Sequence, residues 1–269
     1  MGSPPRWIDS HCHLADPRWA NHLPEALARS REQGIGTWIQ GGVDPSDWKR
    51  QQELRALDPG VVLCFGLHPW WVITRSREEL EADLELLKQE LPNAAAMGEL
   101  GLDLSRRLPH PHPSVTDPLE HQLWAFSEQL KLANRKPLVL HVVRAHEEAQ
   151  KVVATFLHQS RQKLQGIVHT FSGNSTQAKR YLEMGLSISI SGGVTQKGFQ
   201  SLKKTVKVLP PEHLLVETDS PDQPLNGHSG LNEPGRLIQI AEAIAAIRGE
   251  TAEKVLDRST ENAKRIFGL

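Results

Sequence analysis

Two histidines near the N-terminus are separated by a single residue. His11 and His13 follow a short apolar stretch that begins at Trp7. In an extended segment the side chains of residues i and i+2 point to the same side, so both imidazoles can approach one point. Two such nitrogens supply half of a metal site. Because the chain contains 13 His in 269 residues, this pair defines a site only if other segments bring further ligands to it.

The elements that would position these residues follow from an alternating pattern. Short apolar runs begin at Trp7 and recur at residues 35–40, 61–65, 94–97, 137–140, 166–168, 186–190 and 213–216. Helical patterns cover residues 24–33, 45–57, 77–91, 119–135, 145–158, 176–184, 199–206, 234–248 and 251–267. Alternation of strands and helices predicts parallel strands, and eight such units predict an α/β fold of the TIM (β/α)8 barrel type. Neither of the two glycine-rich nucleotide-binding motifs follows a strand, which disfavours nucleotide-binding folds.

Composition limits the function classes. The chain is 38% hydrophobic and 23% charged, which is ordinary for a globular protein and fits one domain over residues 1–269. The formal net charge of −1 provides no global basic field for nucleic acid, so any polyanion must be bound by local groups or metal ions. We expect a monomer.

The cysteines and the N-terminal residues bear on the cellular compartment. Cys12 and Cys64 are the two cysteines, which does not suggest a disulfide framework. Pro4, Pro5 and Arg6 stand where a secretory signal would have its apolar core, and no run approaches transmembrane length. We therefore expect a cytoplasmic protein without membrane association.

Residues able to bind metal recur at the ends of the predicted strands. In a TIM barrel, residues at these positions project from the C-terminal face, where catalytic groups gather. Four imidazoles and two carboxylates would hold one ion or two, and this donor set suits zinc, manganese or iron-like ions better than calcium. A carboxylate from a middle strand can bridge two ions, a pair that stabilises the entering and leaving oxygens of a phosphoryl displacement. The residues are His11, His13, Glu99, His141, His169 and Asp219, with His68 following the third strand.

The same residues lie in motifs that resemble those of the TatD family of metal-dependent deoxyribonucleases. The motifs are Asp9-Ser10-His11-Cys12-His13-Leu14, Gly66-Leu67-His68-Pro69, Gly98-Glu99-Leu100-Gly101-Leu102-Asp103, His169-Thr170-Phe171-Ser172-Gly173 and Glu217-Thr218-Asp219-Ser220-Pro221. Residues 224–227 and 232–234 resemble the bacterial YjjV-like branch. The resemblance implies a metallo-hydrolase barrel that cleaves DNA phosphodiester bonds with two divalent ions (Zn, Mn or Mg). It also implies that His11, His13 and Asp219 hold one ion, that His141 and His169 hold the other, and that Glu99 bridges them.

Two features depart from the family pattern. The fifth-strand motif of the family usually reads His-x-Arg, whereas here Arg144 stands one position later relative to His141. In an extended segment this shift turns the arginine to the other face, so a contact between Arg144 and substrate phosphate stays open. Residues 105–118 contain four prolines and predict a stiff excursion over one end of the barrel.

The expected catalytic roles fall on three residues. Asp219 is the best candidate to accept a proton from the attacking water. Glu217 lies two residues earlier and either shares this role or is a buried structural carboxylate. His68 either contacts the scissile phosphate, protonates the leaving oxygen, or orients a metal ligand by a hydrogen bond.

Three functions are consistent with these residues. The first is hydrolysis of DNA, on single strands or exposed ends, because a recessed barrel mouth admits a single strand more easily than a duplex. The second is an amidohydrolase or lactonase on the same scaffold; the absence of a lysine at a strand end that could form a carbamylated bridge favours the first. The third is a metal-containing binding protein without catalysis.

Several other residues have less specific patterns. Trp70 and Trp71 can stack on unpaired bases, although adjacent tryptophans more often pack in the interior. Cys12 faces away from the predicted metal and is expected in the core. His110 and His112 lie outside the strand-end pattern and are expected at the surface.

Overall fold

The architecture is a ring of parallel strands surrounded by helices. The computed structural model describes residues 6–269, so Pro4 and Pro5 of the N-terminal prediction lie outside the described residues. The strands are β1 Trp7–Cys12, β2 Ile35–Gln40, β3 Val61–Val62, β4 Cys64–Phe65, β5 Ala96–Asp103, β6 Leu138–Val143, β7 Gly166–Val168, β8 Leu186–Ile190 and β9 Leu214–Val216.

The nine strands of this described part occupy eight positions around the barrel. β3 and β4 are separated only by Leu63, whose carbonyl accepts a hydrogen bond from the Ala95 amide at 2.9 Å. All neighbours pair in parallel and in chain order, β1 to β3 and β4 to β9. The ring closes because the Asp219 amide donates to the His11 carbonyl at 2.9 Å and the His13 amide donates to the Ser220 carbonyl at 2.7 Å. The predicted TIM barrel is confirmed.

The helices follow the predicted order with small shifts at their ends. They are α1 Leu23–Glu32, α2 Pro45–Leu57, α3 Pro69–Ile73, α4 Arg77–Glu90, α5 Pro118–Leu132, α6 His146–Ser160, α7 Ser175–Glu183, α8 Gln200–Val208, α9 Leu237–Arg248 and α10 Ala252–Phe267. The short helix α3 is not predicted by the sequence pattern, because five residues carry too little periodicity. None of the helices in residues 6–269 is long and apolar enough to cross a membrane.

The strand that carries Glu99 is longer than predicted. We expected a buried run at residues 94–97 with Glu99 just beyond it, but β5 continues to Asp103 and all eight of its residues are buried. The strand continues because it pairs with β6 along its length, up to Asp103 opposite Val143. The buried carboxylate of Glu99 therefore lies inside the strand. Hydrophobic patterning alone places the end of the strand just before this residue.

Two apolar clusters fill the protein. The larger lies between the strands and the surrounding helices and includes Cys12, Trp38 and Phe65. The smaller contains strand residues such as Ile8 and Ile39 together with Ile266 of α10. Cys12 and Cys64 are both buried free thiols, which confirms the expected core position of Cys12.

Candidate metal centre

Four side chains converge where β1 ends. The Nε2 atoms of His11 and His13 lie 3.3 Å apart, and they are 3.2 and 2.9 Å from Oε1 of Glu99. Oδ1 of Asp219 is 3.5 Å from His11 Nε2 and 3.4 Å from His13 Nε2. We call these four side chains, with Glu99 contributing Oε1, the first ligand group.

A second set of donors faces the other oxygen of the same glutamate. His141 Nδ1 and His169 Nε2 lie 3.0 Å apart, and they are 3.1 and 2.9 Å from Glu99 Oε2. These three residues form the second ligand group. His68 borders it, with Nε2 3.2 Å from His141 Nδ1 and 3.5 Å from Glu99 Oε2. All the metal ligands predicted from the sequence are thus close together.

The donor spacing fits metal binding. Ligand atoms about 2.0–2.2 Å from one ion lie about 3.0–3.5 Å from each other in tetrahedral or octahedral geometry, and the distances within both groups fall near this range. Glu99 is buried, and its Oε1 has no hydrogen-bond partner although two imidazole nitrogens face it. A buried carboxylate oxygen without a donor is costly unless a cation satisfies it. Among the described residues, three sets of possible metal-binding atoms lie within 4.8 Å of one another. They belong to His11, His13 and Glu99; to His11, His169 and Asp219; and to His68, Glu99 and His141.

A glycine makes room for the first ligand group. Gly41 follows β2, and a Cβ placed on it would lie 2.3 Å from Glu99 Oε1 and 2.5 Å from His13 Cε1. Only a residue without a side chain therefore fits here. The sequence showed Gly41-Gly42 as the end of an apolar run, but nothing in it indicated that the ligands would pack against this glycine.

The charges of the ligands shift each other's pKa values. Burial lowers the pKa of His11, but the Glu99 and Asp219 carboxylates outweigh burial and raise that pKa to about 9. Burial raises the pKa of Glu99, but the imidazoliums of His169, His13 and His11 hold it well below its usual range. The pKa values of His13, His141 and His169 are raised as well, each against the effect of burial. In the absence of a metal ion, the histidines of the two ligand groups therefore bind protons more tightly than free imidazoles do.

His68 has a different environment. It is the N-cap of α3, and its Nδ1 accepts a hydrogen bond from the Trp70 amide at 3.0 Å. Burial lowers its pKa to about 3, and the neighbouring His141 contributes in the same direction. The imidazole is therefore neutral, and because Nδ1 accepts, its proton resides on Nε2, the nitrogen that faces the second ligand group.

Asp103 is a site residue that the prediction did not include. Its side chain is buried at the end of β5, and Oδ2 lies 3.2 Å from His141 Nε2 and 2.8 Å from the Trp70 indole nitrogen, which donates to it. A carboxylate on the outer nitrogen of a histidine fixes the tautomer that leaves the other nitrogen free for a metal. The residue was visible in the Gly98–Asp103 motif, but its partners come from other segments and no spacing rule identifies them.

Glu217 lies behind the ligands. It is completely buried, its Oε1 accepts a hydrogen bond from the Thr170 amide, and the Thr170 hydroxyl lies 2.7 Å from the same oxygen. The same oxygen is 3.8 Å from Nδ1 of His169. The Thr170 hydroxyl also lies 2.9 Å from Oδ2 of Asp219. Glu217 thus contacts Thr170 and lies near His169 of the second ligand group.

Three buried glutamines hold the strand ends that carry these residues. On α5, Gln129 accepts from the Leu67 amide at 2.8 Å and donates to the Leu67 carbonyl at 3.0 Å, next to His68. Gln122 makes the same pair of contacts with the backbone of Asp103, at 2.8 and 3.2 Å. On α2, Gln51 donates to the Gly41 carbonyl at 2.7 Å and accepts from the Cys64 amide. These glutamines satisfy the backbone groups at which the strand ladder stops.

The remaining predicted residues lie around the mouth or on the surface. Arg144 follows β6 with a φ of 57° and is exposed. Residues 104–117 contain no regular helix or strand, as expected of the proline-rich passage. His110 is exposed and His112 half-buried, with Nδ1 of the latter 2.8 Å from the Ser114 hydroxyl. Both stand apart from the ligand groups.

The chain is similar to known proteins over nearly its whole length. The family described as "TatD related DNase" matches residues 8–268. The uncharacterized metal-dependent hydrolase YjjV of Escherichia coli (strain K12) is 30% identical, over 98% of both chains. Its crystal structure has a TM-score of 0.86 to this chain and covers 98% of it. A protein of Pantoea vagans named "3'-5' ssDNA/RNA exonuclease TatD" is 31% identical, over 97% of this chain and 99% of its own.

The family match spans nearly the whole chain, and the matched residues include every member of both ligand groups. The chain therefore belongs to the family of TatD-related DNases and is a metal-dependent hydrolase with a TIM-barrel fold.

Proposed function

We propose that this protein is a deoxyribonuclease that hydrolyses phosphodiester bonds in single strands or at exposed ends of DNA. The proposal rests on the two carboxylate oxygens of Glu99: Oε1 faces the imidazoles of His11 and His13, and Oε2 faces those of His141 and His169. Two adjacent cation positions suit a reaction in which charge develops on two oxygens at once. The E. coli and Pantoea relatives, named a metal-dependent hydrolase and an ssDNA/RNA exonuclease, support this class of reaction.

The residues that would hold the ions follow from the two ligand groups. His11, His13 and Asp219 would hold one divalent ion (Zn, Mn or Mg), His141 and His169 would hold the other, and Glu99 would bridge them. When bound, such ions lower the pKa of water and neutralise charge on the phosphate.

Asp219 is the proposed acceptor of the water's proton. Oδ1 faces the first ligand group, while Oδ2 is held 2.9 Å from the Thr170 hydroxyl. Oδ2 thus lies beside a hydroxyl that it shares with Glu217, while Oδ1 is directed at the proposed reacting centre. Glu217 supports this arrangement from behind by binding Thr170 and facing His169, so we assign it a positioning role.

His68 is proposed to bind the scissile phosphate as a hydrogen-bond donor. Its Nε2 carries the proton because Nδ1 accepts from the Trp70 amide, and it faces the second ligand group. With a pKa lowered to about 3, the residue is neutral at physiological pH. It therefore contributes a hydrogen bond to a phosphate oxygen rather than a full positive charge.

The substrate class is tested by a panel of reactions. Metal-stripped protein is incubated with end-labelled single-stranded DNA, blunt duplex DNA and single-stranded RNA, and with amide, ester and lactone substrates, before and after addition of Mg²⁺, Mn²⁺ or Zn²⁺. We expect metal-dependent release of nucleotides from single-stranded DNA. The control is Asp219→Asn, which should abolish release while the protein remains folded.

Two outcomes would contradict the proposal. Turnover of an amide, ester or lactone together with no release from DNA would favour the amidohydrolase or lactonase alternative. Inactivity towards the entire panel at full metal occupancy would favour a binding protein without catalysis.

A further inference from the structure

We propose that Trp70 is a stacking platform for a nucleobase of the substrate strand, fixed beside the second ligand group by Asp103. The inference rests on the proposed function and adds to it a site for the base next to the cleaved bond. It makes recognition depend on the presence of a base as well as on the phosphate.

The position of Trp70 is unusual for a large aromatic residue. It is 39% exposed, although its ring lies 5.5 Å from the ring of His68 and at right angles to it. Its backbone amide donates to Nδ1 of His68, the residue whose other nitrogen borders the second ligand group. An exposed indole thus stands directly beside the proposed reaction centre.

A hydrogen bond to Asp103 holds the Trp70 indole in place. Its Nε1 donates to Oδ2 of Asp103 at 2.8 Å, and the same oxygen lies 3.2 Å from Nε2 of His141. Asp103 is buried, and its Oδ1 accepts from the Ser105 amide at 2.7 Å. A ring fixed in this way loses little rotamer freedom when a ligand binds it. The same oxygen of Asp103 therefore contacts both the Trp70 indole and His141 of the second ligand group.

The neighbouring tryptophan provides an internal contrast. Trp71 donates from Nε1 to Asp83 at 2.8 Å, and the Arg75 guanidinium lies over its ring, 4.8 Å from the centroid. The ring of Trp71 is covered by the protein's own cation, which is the packing role expected of adjacent tryptophans. Trp70 instead offers an exposed aromatic surface at the mouth.

A nucleobase is the occupant that fits this surface. The chain has a formal net charge of −1, so a nucleic acid gains no long-range attraction from the protein as a whole. Stacking on aromatic side chains is a local interaction that tolerates every base, because each base has a π face. It therefore suits a nuclease that acts on unpaired strands of any sequence.

The proposal is tested with three variants and two oligonucleotides. Trp70→Ala, Trp70→Phe and Trp71→Ala are compared with wild type in steady-state cleavage of a single-stranded oligonucleotide. A matched oligonucleotide carries abasic sites in its terminal nucleotides. The same substitutions in the Asp219→Asn background allow binding to be measured by fluorescence anisotropy without turnover. Thermal unfolding of each variant reports its folded state.

We expect Trp70→Ala to raise KM and Kd for the normal strand by about five- to a hundredfold, with a smaller change in kcat. Trp70→Phe should restore most of this loss, because phenylalanine still stacks. Trp71→Ala should leave KM near the wild-type value. On the abasic strand the difference between wild type and Trp70→Ala should disappear.

Two results would overturn the inference, and they are distinguishable. Suppose that wild type cleaves the strand. If Trp70→Ala then has the same KM and Kd as Trp71→Ala, or if Trp70→Ala raises KM and Kd equally on the normal and abasic oligonucleotides, Trp70 is not a stacking platform while the proposed function stands. If wild type neither cleaves nor binds the oligonucleotides, the proposed function itself fails and the platform fails with it.

Discussion

At the scale of single residues, the chemistry depends on which nitrogen each histidine presents. His11, His13 and His169 direct Nε2 at Glu99, whereas His141 directs Nδ1. The difference follows from the outer nitrogen of His141, which faces the buried carboxylate of Asp103. Such outer partners make a histidine a more basic and better oriented ligand.

Replacing Asp103 by asparagine should weaken metal binding in the second ligand group. An asparagine oxygen can accept from both His141 and Trp70 only if its NH2 group faces the Ser105 amide, which now donates to Oδ1 of Asp103, so at least one of these hydrogen bonds is lost. We expect a loss of about 10- to 100-fold in the affinity of one of the two ions, measured by competition with a chelator. Trp70→Phe is the matched control, because it removes only the indole donor from Asp103. Equal affinities in Asp103→Asn and wild type would contradict this role.

The candidate ligands could be selected from the sequence, but their supporting residues could not. His11, Glu99, His141 and Asp219 are ligand-capable types that follow the predicted apolar runs, and the barrel brings the C-terminal parts of its strands together. Asp103 acts through hydrogen bonds to side chains of other segments. Those contacts depend on the register between neighbouring strands, which the sequence does not specify.

At the scale of elements, helices of the outer layer hold the ends of the inner strands. The side chain of Gln129 makes both hydrogen bonds that the Leu67 backbone would otherwise lack. Leu67 immediately precedes His68, so this contact also fixes where the imidazole lies. Helix α5 uses Gln122 in the same way at Asp103.

Replacing Gln129 by leucine should destabilise the fold. The substitution leaves an amide and a carbonyl of Leu67 without partners in the interior, at a cost of about 1–3 kcal/mol for each group. We expect a loss of about 2–4 kcal/mol in the free energy of unfolding, measured by urea denaturation. Gln89→Leu on the exposed side of α4 is the control and should change stability by less than about 0.5 kcal/mol. An unchanged free energy of unfolding in Gln129→Leu would show that the hydrogen bonds between Gln129 and Leu67 are dispensable.

Hydrophobic periodicity predicted most elements but misplaced the ends of some strands, β5 most of all. Helix α2 has the predicted bounds, residues 45–57, because proline at its first turn and Asp44 as its N-cap mark its start. The strand β5 pairs with β6 up to Asp103 and so runs six residues past the predicted end; the charged residue Glu99 inside it interrupts the apolar pattern. Burial of a charge is a functional feature, and patterns of apolar residues do not anticipate it.

At the scale of the whole molecule, the barrel joins ligands that are more than 200 residues apart in the chain, from His11 to Asp219. Without a cation their mutual charges are balanced by protons, as the raised pKa of His11, about 9, indicates. A metal ion must displace these protons before it binds.

Metal affinity should therefore rise with pH. Below about pH 9 the His11 imidazole of the metal-free protein is protonated, and protonated imidazoles do not coordinate metals. We expect apparent affinity for Mn²⁺ to fall steadily from pH 8 to pH 6, with protons released on binding. Calorimetric titrations in buffers of different ionisation enthalpy measure both quantities. Affinity and proton release that do not change over this range would contradict the charge balance described above.

The central claim is that two ions, bridged by Glu99, support cleavage of DNA. It is tested most directly by adding Mn²⁺ stepwise to the metal-free protein while bound metal per chain and release of nucleotides from single-stranded DNA are measured in parallel. We predict two ions per chain in wild type, with full activity only as the second position fills, and loss of both in Glu99→Ala. Full activity with one ion per chain, or no release of nucleotides with two ions bound, would contradict the claim.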